Sequence, residues 1–222
     1  MATLAAPLTL FVDAFFCTPF DFRCWVALRE KGLEFTISRA MMHEGQGLTA
    51  SYKQNSVTGR VPGLVHGDFW LAESLAIIEY LEEAFPAPGW PSLWPVDPLA
   101  RARARQVLSF LGSDLFDLLR ERPSWTIFYP GERAPLTPPA RVAADELLAI
   151  AERVQAEGAL EPWSMASADL TFALLRLSRG GEALPRALQE LVDQNIRRPS
   201  VASYLHHDRP PNPPLTGRRA ST

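Results

Sequence analysis

Two dipeptides in this chain are placed to do chemistry. Glu73-Ser74 stands where a helix begins, and Ile77 rather than Glu or Gln follows Ser74 by three residues. Ser74 therefore cannot close a capping box, and first-turn N–H groups stay available for an outside anion. Val61-Pro62 stands at the mouth of a strand. Proline has no N–H to give a ladder and suits an edge, a strand start or a cis turn. A cis bond there turns the Val61 N–H and C=O outward, where an extended peptide can pair with them. A peptide-pairing edge beside a carboxylate-ready helix start fits a small peptide ligand with a free carboxylate. An ordinary hairpin followed by a serine-capped helix is the other reading of the same residues. The two thiols, Cys17 and Cys24, form no Cys-x-x-Cys pair, so no structural disulfide is expected. The four histidines lack metal-ligand spacing, and His206-His207 fall near an end expected to fray. No metal is expected.

The elements that must position these residues read as follows. Residues 61–65 and 69–71 form a hairpin through His66-Gly67-Asp68, and a helix follows from Glu73-Ser74. Leu75, Ile78 and Leu81 recur at helical spacing, with Glu79, Glu82 and Glu83 on the opposite face. Upstream, residues 8–13 form a buried strand, and residues 14–18 a loop. Pro19 opens a helix that Gly32 ends after Lys31. A second strand is expected at 33–37 and a short helix at 49–54. The first and second strands should then be parallel neighbours by the right-handed crossover rule. Prolines 86, 88, 91, 95 and 98 mark a stiff linker. Asp97-Pro98 is an N-cap and N1 pair for a long helix reaching Arg120, and Arg122-Pro123 breaks it. A loop carrying Trp125, Phe128 and Tyr129 comes next, then helices from Thr137-Pro138, around 166–178, near 185–195 and over 199–205. No strand signal survives beyond Asp97. The tail from Asp208, rich in proline, reads as disordered.

Gly59-Arg60-Val61-Pro62, Glu73-Ser74 and Ile77-Ile78-Glu79-Tyr80-Leu81 resemble the signature of the cytosolic glutathione transferase superfamily, in wording similar to its bacterial YfcF-like branch. The resemblance runs from Leu8 to about Leu205. It implies a thioredoxin-like α/β domain over residues 1–85, a linker at 86–97, an all-α domain over 98–207 and a tail at 208–222. It also implies glutathione as co-substrate and a homodimer. Thr18, in Thr-Pro-Phe-x-x-Arg, is similar to the family's thiolate-stabilising hydroxyl; as a structural residue it would cap the helix. Cys17 is the rival, one residue before the place where cysteine-type relatives carry their nucleophile. It would make the protein a thiol-disulfide reductase; a non-catalytic binding protein of the same fold is a further alternative. By the same resemblance, Glu73 and Ser74 grip the γ-glutamyl end, and Val61, held by Pro62, pairs with the cysteinyl unit. Lys53 would meet the glycyl carboxylate or else be a solvated helix lysine. The second-substrate pocket would be lined by Phe15 or Phe16 and by Phe110 to Asp114. The family's Ser/Thr-x-x-Asp capping box is Ser164 and Ser167 here, with Asp169 two residues on as an alternative cap or a separate buried group.

Composition bounds the rest. The chain has 222 residues, 47% hydrophobic and 21% charged, which is ordinary for a globular protein. A net charge of −3 with no concentrated basic face argues against nucleic acid as a partner. No apolar run approaches the ~20 residues of a membrane span. The first residues lack a secretory signal's charged start, so a cytoplasmic location is expected.

Overall fold

The computed structural model describes residues 5–40 and 50–212. Its first half alternates β1 (Leu8–Asp13), α1 (Pro19–Glu30), β2 (Thr36–Ala40), α2 (Ala50–Asn55), β3 (Gly63–His66), β4 (Phe69–Ala72) and α3 (Ser74–Ala84). The sheet order is β2-β1-β3-β4. Strands β1 and β2 are parallel, with Leu10 opposite Ile37, while β3 runs antiparallel to both β1 and β4. The thioredoxin-like arrangement expected from the sequence is thus the one formed. Its second strand starts three residues late. Gly32, at φ +66°, closes α1 with bonds from its own N–H to the Arg29 carbonyl and from the Leu33 N–H to the Leu28 carbonyl. That is a Schellman closure, and it spends Leu33 on the helix end. The short helix forms, although Thr49 lies outside the described residues.

The second half is helical: α4 (Pro98–Ser113), α5 (Phe116–Glu121), a 3-10 turn (Ser124–Ile127), α6 (Pro138–Ala156), α7 (Met165–Arg179), α8 (Arg186–Asn195) and α9 (Pro199–Leu205). The single long helix expected from 98 to 120 is two helices. The Ser109 and Ser113 hydroxyls turn back to the carbonyls of Arg105 and Ser109, a bonding pattern that bends helices. The break lets Leu115 turn into the core. Thirteen of the fifteen residues of α7 are buried. Its start is tied by Ser167, whose hydroxyl accepts from the Ser164 N–H and donates to the Leu160 carbonyl. Asp169 caps nothing; it has a separate buried role.

Helix α1 joins the halves. Phe22 stacks on Phe172 of α7 at 4.5 Å, and Trp25 donates to the Ser203 hydroxyl of α9. The proline-rich segment 86–97 carries no helix or strand and is packed against α3: Leu93 and Trp94 are buried, and Glu82 accepts from the Leu93 N–H, Ser92 and Lys31. Glu82 is therefore no surface charge. Nor does order stop at Asp208. The Arg209 guanidinium donates to the carbonyls of Phe16, Tyr204, Leu205 and His207 and lies 3.6 Å from the Phe128 ring centroid. Two of those four carbonyls, Tyr204 and Leu205, close the last turn of α9, and the Tyr129 hydroxyl donates to the Pro210 carbonyl beyond it. Residues 213–222 lie outside the described residues.

Candidate functional site

The start of α3 is open. Glu73 is its N-cap residue at φ +71°, a left-handed conformation that costs a non-glycine residue about 1–3 kcal/mol and collects at ligand sites. Neither Glu73 nor any other side chain caps the first turn. Ser74 is buried, and its hydroxyl oxygen accepts from Nη1 of Arg23 at 2.9 Å, which leaves its own proton to give. Arg23 is fixed in turn by Asp169 of α7: Nε donates to Oδ2 at 2.8 Å, and Nη2 makes a closer contact to the same oxygen. Burial raises the Asp169 carboxyl, and the Arg23 guanidinium opposes the rise. A contact across 146 residues of sequence thus holds the hydroxyl at the α3 start.

Facing Glu73 and Ser74 is the segment before β3. The Val61-Pro62 peptide bond is cis, and the β3–β4 ladder begins only at Gly63. Gly63 is required there, because a Cβ would lie 1.9 Å from the Tyr52 hydroxyl oxygen. That hydroxyl donates to the Arg60 carbonyl and pins the segment to α2. Arg60, Val61 and Pro62 on one side and Glu73, Ser74 and Leu75 on the other line a cleft of about 460 Å3. Phe20 and Arg23 of α1 also line it, and Leu108, Ser109, Gly112 and Ser113 of α4 close it. A narrower slot of about 40 Å3 shares Phe20, Arg23 and Gly112 with the cleft and runs between α1, α4, α5 and α7.

Thr18 caps α1. Its Oγ1 accepts from the Asp21 N–H at 3.0 Å and donates its proton to Oδ2 of Asp21 at 2.7 Å. Burial pushes the Asp21 carboxyl up to about 7, a hydrogen bond from Thr18 working against the rise and nearby Asp13 adding to it. Thr18 lies just before Pro19 and Phe20, which line the slot and, for Phe20, the cleft as well.

The structure thus brings together Val61, Pro62, Glu73 and Ser74. Several other expected residues it sets elsewhere. Lys53 is exposed on α2 and does not line the cleft; the cations there are Arg60 and Arg23, the latter paired with Asp169. Phe16, at φ +49°, is fully buried among Trp25, Tyr204 and His207 and lines no pocket; its N–H bonds the Asp13 carbonyl, which turns the ring inward. Phe15 is half-buried and lines neither the cleft nor the slot. Phe110 points to a separate groove against Ile150 and Val154 of α6, one 100° step round the helix from Ser109. Asp114 is exposed beside Ser113 and outside both cavities, displaced by the break between α4 and α5. Cys17 is buried, and burial, with smaller contributions from Asp13 and Asp21, pushes its thiol up to about 12. Burial of this kind favours the protonated, less nucleophilic form of a thiol. Cys24 is a core residue whose thiol burial also raises. Sequence reasoning gave no role to Asp21, Arg23 or Arg60 and read Asp169 as an alternative cap or a separate buried group; the available signals were the places of Arg23 in Thr-Pro-Phe-x-x-Arg and of Arg60 in Gly-Arg-Val-Pro.

Among the described residues no group of histidine, cysteine and carboxylate side chains is arranged to hold a metal, and no helix is long and apolar enough to cross a membrane. Residues 18–84 match the family model for the glutathione S-transferase N-terminal domain, and residues 97–208 that for the C-terminal domain. A crystal structure of a glutathione transferase homolog from Burkholderia gl BGR1 with bound glutathione is 32% identical, covering 90% of this chain and 96% of its own at a TM-score of 0.70. A theta class glutathione S-transferase from Xanthomonas axonopodis pv. citri shares the fold at a TM-score of 0.71 with 21% identity, over 91% of this chain and 99% of its own. Glutathione S-transferase 1 of Dianthus caryophyllus is 40% identical over 93 residues, which is 42% of this chain and 41% of the relative. Maleylacetoacetate isomerase of Pseudomonas aeruginosa is 38% identical over 101 residues, 44% of this chain and 46% of the relative. The chain spans less than half the length of these curated relatives. Both halves of the fold match, and the open α3 start faces the cis Val61-Pro62 bond across one cleft: the chain belongs to the glutathione S-transferase family.

Proposed function

We propose that this protein is a glutathione transferase of the bacterial YfcF-like branch. The observation that carries the reading is the cleft in which Val61-Pro62 opposes Glu73-Ser74. The γ-glutamyl carboxylate accepts from the Ser74 hydroxyl and the first-turn N–H groups of α3, where the helix dipole favours negative charge. Glu73 faces the ammonium group. The free backbone of Val61 pairs with the cysteinyl unit, and Arg60, not Lys53, meets the glycyl carboxylate.

This places the glutathione thiol towards the start of α1, where Thr18 is the hydroxyl available to a thiolate. With Asp21 ionised, Asp21 holds the Thr18 proton. With Asp21 protonated, its O–H donates to Thr18 Oγ1 and the threonine proton is released to the sulfur. The thiolate then gives an electron pair to an electrophilic carbon, forming a C–S bond, and the leaving group departs with the pair of the bond that breaks. A hydroperoxide oxygen is an alternative acceptor. We propose that the protein works as a cytoplasmic homodimer. The buried, protonated Cys17 supports no reductase reading.

Ser74→Ala should weaken glutathione binding by roughly 1–3 kcal/mol, the scale of a hydrogen bond to a charged group. Thr18→Ala should raise the pKa of bound glutathione and cut turnover by about ten- to a thousandfold, while Cys17→Ser retains turnover. Calorimetry and the thiolate absorbance of bound glutathione measure both. Unchanged affinity in Ser74→Ala would remove the cleft from the glutathione site.

A further inference from the structure

Helix α7 carries a buried cation that the thiolate chemistry above leaves idle. Arg176, in its last turn, is 6% exposed. Its Nε is buried with no hydrogen-bond partner, and no carboxylate among the described residues pairs with it. Burial pulls its pKa down to about 10, so the side chain is still charged at neutral pH. A buried donor with no partner carries a desolvation cost that an acceptor on a ligand would offset.

Arg176 lines the narrow slot that shares its floor with the cleft. The walls beside it are apolar, formed by Leu111, Leu115, Leu119 and Phe172. Asp169 also reaches the slot, but its charge is met by Arg23. Those two charges cancel, and the slot is left with the net positive charge of Arg176. At about 40 Å3 the slot has room for a small anionic end such as a carboxylate, while the body of a ligand lies in the adjoining 460 Å3 cleft.

We infer that Arg176 anchors a carboxylate on the second substrate, so that the pocket selects small, flat, anionic electrophiles over neutral ones. This rests on the proposed transferase reading, with the electrophile lying in the cleft and its carboxylate reaching into the slot. Recognition is a matter of charge matching in a desolvated site, where a bidentate guanidinium–carboxylate pair is strong and directional. The neutral counterpart leaves Arg176 unpaired and is rejected by the same margin.

The test compares 4-chloro-3-nitrobenzoate with 4-chloro-3-nitrobenzamide, which present the same reacting carbon and differ in charge. Calorimetry with the unreactive S-methylglutathione in place should show the benzoate bound at least tenfold more tightly by the wild-type protein. In Arg176→Met that preference should fall to about one. Should the methionine variant fail to melt cooperatively, Arg176→Gln is read on the same ratio. Equal binding of the two compounds by the wild type, or an undiminished preference in the folded variant, would overturn the assignment. Turnover with glutathione separates the two readings. A carboxylate preference in binding without turnover of either compound upholds Arg176 and removes the transferase. Turnover without any preference upholds the transferase and removes Arg176.

Discussion

Thr18 has one hydroxyl proton, and Asp21 holds it at 2.7 Å. In the proposed mechanism, what a glutathione thiolate receives therefore depends on the charge of Asp21. That carboxyl titrates near 3.8 in an unfolded chain and about 7 in the folded one, chiefly because it is buried. Between those values the native state holds a proton that the unfolded state has lost. Stability therefore falls as pH rises from about 4 to about 7 and levels off above, by on the order of 4 kcal/mol. Asp21→Asn should flatten that slope, gaining on the wild type in urea denaturation at about pH 8 relative to about pH 5. Equal slopes would show that Asp21 titrates normally. The sequence let Thr18 be read as an N-cap, because capping depends on neighbours in the chain. It could not show that Asp21 is sealed, since Tyr204 of α9 packs over the loop, its hydroxyl donating to the Thr18 carbonyl. Phe16 was misplaced for the same kind of reason: its inward turn follows from a left-handed backbone angle that residue type does not announce.

At the level of elements, α1 works as a bracket between α3 and α7. Arg23 reaches Ser74 on one side and Asp169 on the other, and all three side chains are buried. Removing one partner strands the other charge in the core, so Asp169→Ala should cost about 3–5 kcal/mol by chemical denaturation. It should also loosen Ser74 and weaken glutathione binding in step. A variant of wild-type stability would mean that water reaches Arg23. Sequence patterning found nearly every helix and strand, because periodicity and proline placement are local. It erred where ends are decided by contacts that periodicity ignores, as at the Schellman closure that delays β2 and the serine-bent junction of α4 and α5. Of the segment from Phe110 to Asp114 that it offered to the pocket, Gly112 and Ser113 face the cleft, together with Leu108 and Ser109 before it, and Phe110 and Asp114 do not.

Across the whole molecule, charges on α3 that a subunit interface could use are spent within one chain. Glu79 accepts from Arg105 at 2.9 and 2.6 Å, and Glu82 is tied to Lys31 and the proline-rich segment. The proposed homodimer would then be held by apolar contact rather than a charged rim. Sedimentation at micromolar concentration should give a dimer whose fraction barely changes when salt is raised, because screening acts on exposed charges. A monomer, or salt-driven dissociation, would count against it. The division into an α/β half and a helical half was legible from the change of composition at the prolines. The sharing of one core by both halves was not. Arg209 carries that sharing furthest, since it bonds the Phe16 carbonyl from 193 residues away. Ribosomes deliver a chain from its N-terminus, and the sheet and α1 can assemble as they emerge. The loop before Thr18 must wait for Tyr204 and Arg209 to be made. The sheet and the loop before Thr18 are thus finished at different moments of synthesis, the loop only once the helical half has followed it out of the ribosome.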